Sequence, residues 1–351
     1  MITIFTPSFA DEADTNAQNL SAKEIVARLD PKRFAVTLLH EEEPDRRIGA
    51  RANTTLLQWQ RRGNTARTMW HILRNIPDVY FFPREGPLDA VFLNLRRSLG
   101  WKTAVVSYVV SGGLDTQPYP PARVRHIGEA DQVVANNTYL AQLVKEKLNV
   151  EATVIHNGID RRYFFPPTSE RTGRDAVTVL YAGSMRPYKR VPMVVREAAR
   201  HRRVQFRIAG TGEEEQICKD LSKKLGCGNV EFLGHLSLSR LGEEMRRADI
   251  FLFPSAVEGH PQVLGQAAAC GLPAIAMKNY RPDYVADGAT GFLVEDDDEL
   301  SAKLDMLIQN PESRSRMGKA AVDHAKHFDW DVITGKWQEI FEQTVQKRRG
   351  H

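Results

Sequence analysis

The sequence has no apolar run long enough to cross a membrane, and its first residues lack the basic and apolar segments of a secretory signal. We therefore expect a cytoplasmic protein. Cysteine is scarce, with three residues that lack the paired C-x-x-C spacing of zinc and redox sites. We expect free thiols, and no metal site is predicted from the histidines and acids.

Low-complexity tracts and fixed-period repeats are also absent, which excludes disordered and solenoid classes. Hydrophobic residues at 42% and charged residues at 26% are ordinary for a globular protein. A chain of 351 residues exceeds the size of one ordinary core. These proportions predict two globular domains.

Positive charge is unevenly placed. Residues 44–130 contain twelve arginines and Lys102 against six acidic residues, although the whole chain carries only +4. A solvated basic face is the simplest explanation, and contact with an anionic membrane or a phosphorylated acceptor is the functional one. No recognised motif supports nucleic-acid binding.

Short apolar strands alternate with helix-like segments in both halves of the chain, which predicts an α/β fold with parallel sheets. In the first half strands are predicted at 2–5, 34–39, 79–82, 103–108, 132–135 and 152–155, with a helix at 17–29. In the second half they are predicted at 177–181, 205–209, 230–232, 250–253, 273–276 and 291–294. Ligands of such sheets bind at the carboxyl ends of the strands.

Composition also predicts the domain boundaries. Residues 165–173 combine prolines, a glycine and polar residues, which is typical of an interdomain linker. We place the first domain at 1–168 and the second at 169–328. Residues 329–351 carry apolar side chains at helical spacing and predict a closing helix that packs back across the interdomain region.

The segment 253–273 has the pattern of an anion-binding loop, because a hydrophobic strand is followed by a short loop and a helix of small residues. Pro261 suits the first turn of that helix and Gly271 its end. The backbone amides of Gln262, Val263 and Leu264 would point out of the helix start, where the helix dipole favours an anion such as a diphosphate.

Two side chains in this segment have candidate roles. Glu258 precedes the helix, where a carboxylate could accept hydrogen bonds from sugar hydroxyls, or could simply complement the helix dipole. Gln266 could hydrogen-bond a ribose, or be an ordinary helical residue. Both alternatives stay open at this point.

A second strand-to-helix loop delivers Lys189 and Arg190 at a helix start, where a cation opposes the dipole. That conflict suggests a bound anion. Gly210-Thr211-Gly212 follows another strand, but Glu215 stands where a dinucleotide fingerprint needs its third glycine. Nicotinamide cofactors are therefore disfavoured.

Taken together, these segments resemble the retaining glycosyltransferases of family 4. The matching stretches are 156–160, 182–189, 209–212, 248–255, 258–273 and 287–294. The resemblance implies a GT-B fold of two Rossmann-like domains that face each other across a cleft. It also implies metal-independent transfer of a sugar from a nucleotide diphosphate sugar, a UDP- or GDP-sugar, to an acceptor hydroxyl with retained configuration.

On the family pattern, Lys189 would contact the donor phosphates and Glu258 the donor sugar, and we predict both as catalytic. The predicted donor-binding residues are Gly183, Ser184, Arg186, Arg190, Gly210, Thr211, Gly212, Gly259, His260, Pro261, Gln262, Val263, Leu264 and Gln266. Asn16, Asn19 and Asn157 are predicted as possible loop contacts to the donor or the acceptor. For Asn16 and Asn19, however, capping of the following helix is the preferred interpretation.

The sequence departs from the family pattern at three places, which limits how far the family's residue roles can be assigned here. Ser184 and Arg190 stand where relatives usually carry Arg and Gly, so the phosphate-binding cation could have moved to Arg186 or Arg190. Gln266 replaces the second acid of the E-x7-E pattern. The stretch 104–110 lacks the histidine that many relatives have, and a lone residue such as His40 or His126 is more often structural.

Three alternatives to transfer remain: a non-catalytic nucleotide-sugar-binding protein, a sugar-nucleotide epimerase and a phosphorylase. The expected partners are a nucleotide sugar and an acceptor glycan, lipid or small molecule. Peripheral contact with an anionic inner membrane face is a further expectation.

Overall fold

The computed structural model describes residues 1–12, 17–59, 64–83, 86–110, 121–168 and 176–350. The chain divides into two compact units, one made of Met1–His156 with Asp331–His351 and the other of Asn157–Trp330. Each unit contains one sheet, and all the strand pairs within the two sheets are parallel. The predicted α/β class with two doubly wound units is confirmed.

The sheet of the first unit has the order β3-β2-β1-β4-β5-β6-β7. Its strands are β1 Ile2–Phe9, β2 Phe34–His40, β3 Thr54–Gln58, β4 Val79–Phe81, β5 Ala104–Val109, β6 Gln132–Ala135 and β7 Thr153–Val154. Its helices are α1 Ala17–Arg28, α2 Arg46–Gly49, α3 Asn64–Arg74, α4 Pro87–Ser98, α5 Pro121–Gly128 and α6 Thr138–Leu148. All six residues of β5 are buried, as expected for a parallel strand covered on both faces.

Strand β3 was not predicted from the sequence. It lies at the edge of the sheet, and each of its residues is exposed or half-buried. An edge strand needs no continuous apolar run, so the signal that identified its neighbours is absent.

The sheet of the second unit has the order β10-β9-β8-β11-β12-β13. Its strands are β8 Thr178–Ala182, β9 Gln205–Ala209, β10 Val230–Gly234, β11 Ile250–Phe253, β12 Ala274–Met277 and β13 Gly291–Val294. Its helices are α7 Val191–Arg200, α8 Glu215–Lys224, α9 Leu238–Arg247, α10 Gln262–Ala269, α11 Asp297–Gln309 and α12 Pro311–Ala325, with short 3-10 turns at Pro187–Lys189 and Lys326–Phe328.

The last helix, α13 Trp330–Arg349, belongs to the first unit from Asp331 onward. Trp337 and Phe341 are fully buried, and their rings lie 5.2 and 5.1 Å from the ring of Phe81 on β4. The apolar spacing of residues 329–346 in the sequence therefore corresponds to a core-facing stripe.

The division between the units differs from the predicted domain boundary at 168/169. Residues 157–168 belong to the second unit, where the Ile159 amide donates to the Phe328 carbonyl at 2.7 Å and Arg246 donates to the Tyr163 carbonyl at 2.8 Å. Composition alone gives no sign of these contacts. Of the predicted linker, residues 169–173 lie outside the described residues. Within the described part of the chain, no helix is both long and apolar enough to cross a membrane.

Candidate functional site

The candidate site lies where the strand order of the second sheet reverses. Strands β8 and β11 are hydrogen-bonded neighbours, although about seventy residues separate them in the sequence. Crossovers leave the two strands in opposite directions, which opens a crevice at their carboxyl ends. The loops after Ala182 and Phe253 therefore meet at this point.

The loop after β8 is braced by the loop after β9. The Gly183 amide donates to the Ala209 carbonyl at 3.0 Å, and the Met185 amide donates to the Thr211 carbonyl at 2.9 Å. Gly210 has φ +127°, and a Cβ at this residue would lie 1.9 Å from the Gly183 carbonyl oxygen. The structure thus gives Gly210 a packing role in holding the β8 loop.

Lys189 and Glu258 form an ion pair at the crevice. Lys189 ends the 3-10 turn before α7, and its Nζ lies 2.5 Å from Oε1 of Glu258 in the loop after β11. Their side chains are only 13% and 11% exposed, and the ammonium also lies 5.2 Å from the centroid of the Phe253 ring. The two predicted catalytic residues are therefore in direct contact.

Main-chain contacts between the two loops fix this pair. The Ala256 amide donates to the Tyr188 carbonyl at 2.7 Å, and the Ser255 hydroxyl donates to the same carbonyl at 3.3 Å. The Tyr181 hydroxyl donates to the Ser184 carbonyl at 3.0 Å. Burial, with a smaller contribution from the Glu258 carboxylate, raises the pKa of Tyr181, so this hydroxyl stays a neutral donor.

The sequence argument took the cations at Lys189 and Arg190 as a sign of a bound anion, whereas the structure shows an internal carboxylate partner for each. Glu258 neutralises Lys189, and Arg190 donates through Nη2 to Asp297. Arg186 differs from both, because it is exposed and its guanidinium has no hydrogen-bond or ion-pair partner in the part of the chain that the structure describes. Of the two arginines proposed as replacement phosphate ligands, Arg186 is the one available to a ligand.

Helix α10 begins at Gln262, so Pro261 precedes the helix instead of lying in its first turn as predicted. No acceptor for the Gln262 and Val263 amides occurs among the described residues, whereas the Leu264 amide donates to the Pro261 carbonyl at 3.0 Å. Of the three backbone amides that were predicted to be without an internal acceptor, two are so in the described residues.

The other end of α10 agrees with the prediction. Gly271 has φ +71°, its amide donates to Ala268, and the Leu272 amide donates to Ala267. These are the two hydrogen bonds of a Schellman motif, which fixes the helix end on a glycine.

A cavity of about 290 Å³ lies in front of these loops. Six of its lining residues were predicted from the sequence: Gly183, Lys189, Pro261, Gln262, Val263 and Gln266. Gln266 is half-buried, and its side-chain amide has no hydrogen-bond partner in the described ranges. The site is thus assembled by segments that are far apart in sequence.

Three lining residues were missed: Ala182, Phe253 and Leu241. Ala182 and Phe253 are the last residues of β8 and β11, so the rule on strand ends could have found them. Leu241 lies on α9, and no pattern in the sequence separates it from an ordinary core leucine. The cavity is not lined by the remaining predicted donor residues, which lie in the loops after β8, β9 and β11 or at the start of α10: Ser184, Arg186, Arg190, Gly210, Thr211, Gly212, Gly259, His260 and Leu264.

His260 and Asn157 contribute to the packing behind the loop of Glu258. The His260 and Tyr284 rings lie 4.4 Å apart, and the Tyr284 hydroxyl donates to the Asn157 carbonyl at 3.0 Å. Asn157 itself is only 7% exposed. This contact gives Asn157 a structural role within the second unit.

The predicted residues of the first unit are Asn16 and Asn19. Asn16 lies outside the described residues. Asn19 lies within α1, and its Oδ1 accepts a hydrogen bond from the Phe9 amide at 2.9 Å at the end of β1. The preferred interpretation of Asn19 as a helix cap is wrong, because its side chain holds the end of a strand.

In the comparison with known proteins, the family match falls within the second unit. Residues 167–324 match the family model described as Glycosyl transferases group 1. An uncharacterized glycosyltransferase of Methanocaldococcus jannaschii is 25% identical over 61% of this chain and 60% of its own length. A D-inositol 3-phosphate glycosyltransferase of Kribbella flavida is 29% identical over 62% of this chain and 58% of its own.

The chain therefore spans about three fifths of the length of these relatives. Among solved structures, Anabaena HepE in complex with UDP and glucose is similar with a TM-score of 0.72 and 17% identity, over 98% of this chain and 100% of the other. That likeness confirms the two-unit fold of the GT-B class.

Proposed function

We propose that the chain transfers a sugar from a nucleotide diphosphate sugar to an acceptor hydroxyl, because residues 167–324 match the family model of the group 1 glycosyl transferases. We further propose that the anomeric configuration is retained and that no metal ion is needed. One observation carries this proposal: the loops after β8 and β11 bring Lys189, which pairs with Glu258, and the start of α10 to a single cavity.

The start of α10 would bind the diphosphate. The amides of Gln262 and Val263 lie at the positive end of the helix dipole, where an anion gains both hydrogen bonds and charge complementarity. Lys189 lines the same cavity and Arg186 lies on the same loop as Lys189. These groups supply positive charge without a divalent cation.

Glu258 would have two successive tasks. In the free protein it holds the Lys189 ammonium at 2.5 Å, which keeps this long side chain in one position. When the donor binds, the ammonium is shared with the diphosphate, and the carboxylate accepts hydrogen bonds from the sugar hydroxyls. The pair thus orients the donor before the reaction starts.

The transfer itself breaks the bond between the anomeric carbon and the diphosphate oxygen, and forms a bond from that carbon to the acceptor oxygen on the same face. The acceptor proton passes to the departing diphosphate. Negative charge grows on the leaving oxygen, so Lys189 and the helix start stabilise the transition state more than the bound substrate. This chemistry requires little from a protein base.

The donor and the acceptor are proposed by class. HepE was solved with UDP, which supports a UDP-sugar, and a GDP-sugar is the second candidate. The Gln266 amide would contact the ribose, since it lines the cavity. The acceptor would be a glycan, lipid or small molecule, used at the cytoplasmic side with peripheral contact to an anionic membrane face.

A donor screen tests this proposal. We expect UDP or GDP to raise the melting temperature, since a ligand that binds only the folded state stabilises it. The matching sugar nucleotide should then be transferred or slowly hydrolysed in the presence of EDTA, with retained configuration by NMR. Donor binding with neither transfer nor hydrolysis would instead assign the chain as a nucleotide-sugar-binding protein.

A variant pair tests the site. Lys189→Ala should lower turnover by about a hundredfold or more, the effect expected from loss of a group that stabilises a developing anion. Lys278→Ala is the matched control, because Lys278 pairs with Glu295 at 2.7 Å but both side chains are more than half exposed. Equal activity of the two variants, both folded by circular dichroism, would refute the assignment of Lys189.

A further inference from the structure

The first unit contains a second cavity, of about 460 Å³, that the proposed transfer does not explain. It is lined by residues of β3 and α3 and by His40 at the end of β2. Its volume falls within the range of small-molecule pockets, about 300–1,000 Å³, and is large for a bare phosphate ion.

Unpaired positive charge lines this cavity. Between Asp45 and Asp78 the sequence has seven arginines and no acidic residue. Two of these arginines, Arg67 and Arg74, line the cavity, and neither has a carboxylate partner in the described residues. Within the described ranges, the two guanidinium charges at the cavity are therefore not neutralised by a protein acid.

Other arginines of the same unit show that this arrangement is not general. Arg96 pairs with Asp131 at 2.5 Å, and Arg97 pairs with Glu129 at 2.5 Å. Part of the basic charge predicted as a solvated face is thus satisfied by protein acids. The arginines at the cavity are left for an external anion.

An aromatic surface accompanies the charge. Trp70 lines the cavity with 57% of its surface exposed, and the Arg74 guanidinium lies 4.5 Å from its ring centroid. An exposed indole is a flat apolar surface on which the C–H face of a sugar ring can pack. The stacked guanidinium is also held in place beside it.

Amide and imidazole groups complete the lining. The side chains of Gln58 and Asn75 can each donate and accept hydrogen bonds, as sugar hydroxyls require. Burial lowers the pKa of His71, which keeps its imidazole neutral at pH 7 and able to accept as well as donate. Charged, aromatic and neutral polar groups therefore surround one space.

We propose that the cavity between β3 and α3 binds an anionic saccharide, a sugar ring that carries a phosphate or a carboxylate. Arg67 and Arg74 bind the anionic group, Trp70 packs against the ring, and Gln58 and Asn75 contact hydroxyls. A neutral sugar would leave the arginines unmatched, and a bare phosphate would leave the indole and most of the volume unused. The proposal does not depend on transfer chemistry, since binding alone tests it.

Calorimetry with glucose 6-phosphate, glucose and inorganic phosphate is the test. We expect glucose 6-phosphate to bind at least tenfold more tightly than either of the other two. Arg67→Gln with Arg74→Gln should weaken that binding tenfold or more, because charge-assisted hydrogen bonds are lost. Arg46→Gln is the matched control, since Arg46 is exposed in the same unit, has no side-chain ion pair among the described residues and lies outside the cavity.

Trp70→Leu separates a saccharide site from a plain anion site. It should weaken glucose 6-phosphate about tenfold and leave inorganic phosphate unchanged. Equal affinity of glucose 6-phosphate and inorganic phosphate, or double-arginine and control variants that bind alike, would overturn the proposal. Thermal unfolding of each variant shows that the protein is intact.

The anionic sugar could be free or displayed on a lipid, and vesicles distinguish these sources. Co-sedimentation compares phosphatidylcholine vesicles that contain phosphatidylinositol with vesicles that contain phosphatidylglycerol at equal charge. A preference for phosphatidylinositol that the double-arginine variant loses assigns the site to a lipid headgroup. Binding of glucose 6-phosphate alone assigns it to a soluble sugar, and binding of neither ligand overturns the proposal.

Discussion

The two cavities differ in what neutralises their cations. In the second unit Lys189 pairs with Glu258, and Arg190 pairs with Asp297 beside the same loop. In the first unit Arg67 and Arg74 have no carboxylate partner in the described ranges. One cavity is preorganised by internal ion pairs, and the other presents open charge.

This difference has opposite consequences for binding. An internal counterion fixes a long side chain in place, so less conformational entropy is lost when the ligand arrives, but the ligand must compete for the cation. An open cation attracts anions at a distance and is more sensitive to salt. We therefore expect geometry to dominate recognition in the second unit and charge to dominate it in the first.

Glu258→Gln should have the largest effect on the difference between the two cavities, because it leaves Lys189 without its counterion. We expect UDP to bind about tenfold more tightly and turnover to fall about a hundredfold, since the sugar loses a charged hydrogen-bond acceptor. Calorimetry and steady-state rates measure the two effects. Weaker UDP binding would show that the carboxylate does not compete for the ammonium.

The arginines near Lys189 offer a sharper test. Arg186→Gln should weaken UDP binding about fivefold, because an exposed guanidinium that can turn to the diphosphate is lost. Arg190→Gln should change the affinity less than about twofold, since Asp297 already holds that guanidinium. Calorimetry on the two variants in parallel measures the difference, and the reverse order would move the phosphate contact to Arg190.

Gln266→Glu restores the acid of the family pattern. It should tighten UDP binding about threefold, because a carboxylate forms stronger hydrogen bonds to ribose hydroxyls than an amide does. Calorimetry with 2′-deoxy-UDP is the control, and the gain should shrink with it. Unchanged or weaker binding of UDP would remove Gln266 from the ribose site.

Within the first unit, two neighbouring arginines allow a test in which the expected effect is the smallest. Arg47 binds Glu24 at 2.6 Å and Asp45 at 2.8 Å, whereas Arg46 has no side-chain ion pair in the described part of the unit. Burial raises the pKa values of Glu24 and Asp45. Hydrogen bonds and charge from Arg47, together with Arg28 at Glu24, outweigh this effect, so both net shifts are downward.

Carboxyls with lowered pKa values stabilise the fold above their ordinary titration range, and this contribution is lost as pH falls through the folded-state values. Arg47→Gln should therefore cost about 0.5 kcal/mol at pH 7 and less at pH 3. Urea unfolding at both pH values measures this, with Arg46→Gln as control. A cost that is equal at both pH values would contradict the linkage.

The sequence was most informative where residues are buried on both faces of a sheet. Strand β11 was predicted with the bounds that the structure shows, because its four residues form a continuous apolar run and are all buried. The edge strand β3 lacks that signal, and the cavity beside it was therefore missed. The loops of the second unit were predicted because strand, loop and helix follow one another locally.

Contacts between residues far apart in the chain could not be predicted from the sequence. Lys189 and Glu258 were each proposed for ligand contact, but nothing in a linear pattern shows that a lysine and a glutamate 69 positions apart touch. One residue of the family pattern also has a packing role in the structure. A Cβ at Gly158 would lie 2.2 Å from the Trp330 ring, so this glycine is required by the fold whatever the ligand.

The return of the chain to the first unit at Asp331 affects how the protein can fold as it is made. Residues 1–156 are synthesised before the second unit, but this part of the core stays open until the segment with Trp337 and Phe341 emerges. The second unit is contiguous and can fold earlier, as domains generally do during synthesis. The aromatic residues around Phe81 can therefore be covered by Trp337 and Phe341 only after the whole second unit has been synthesised.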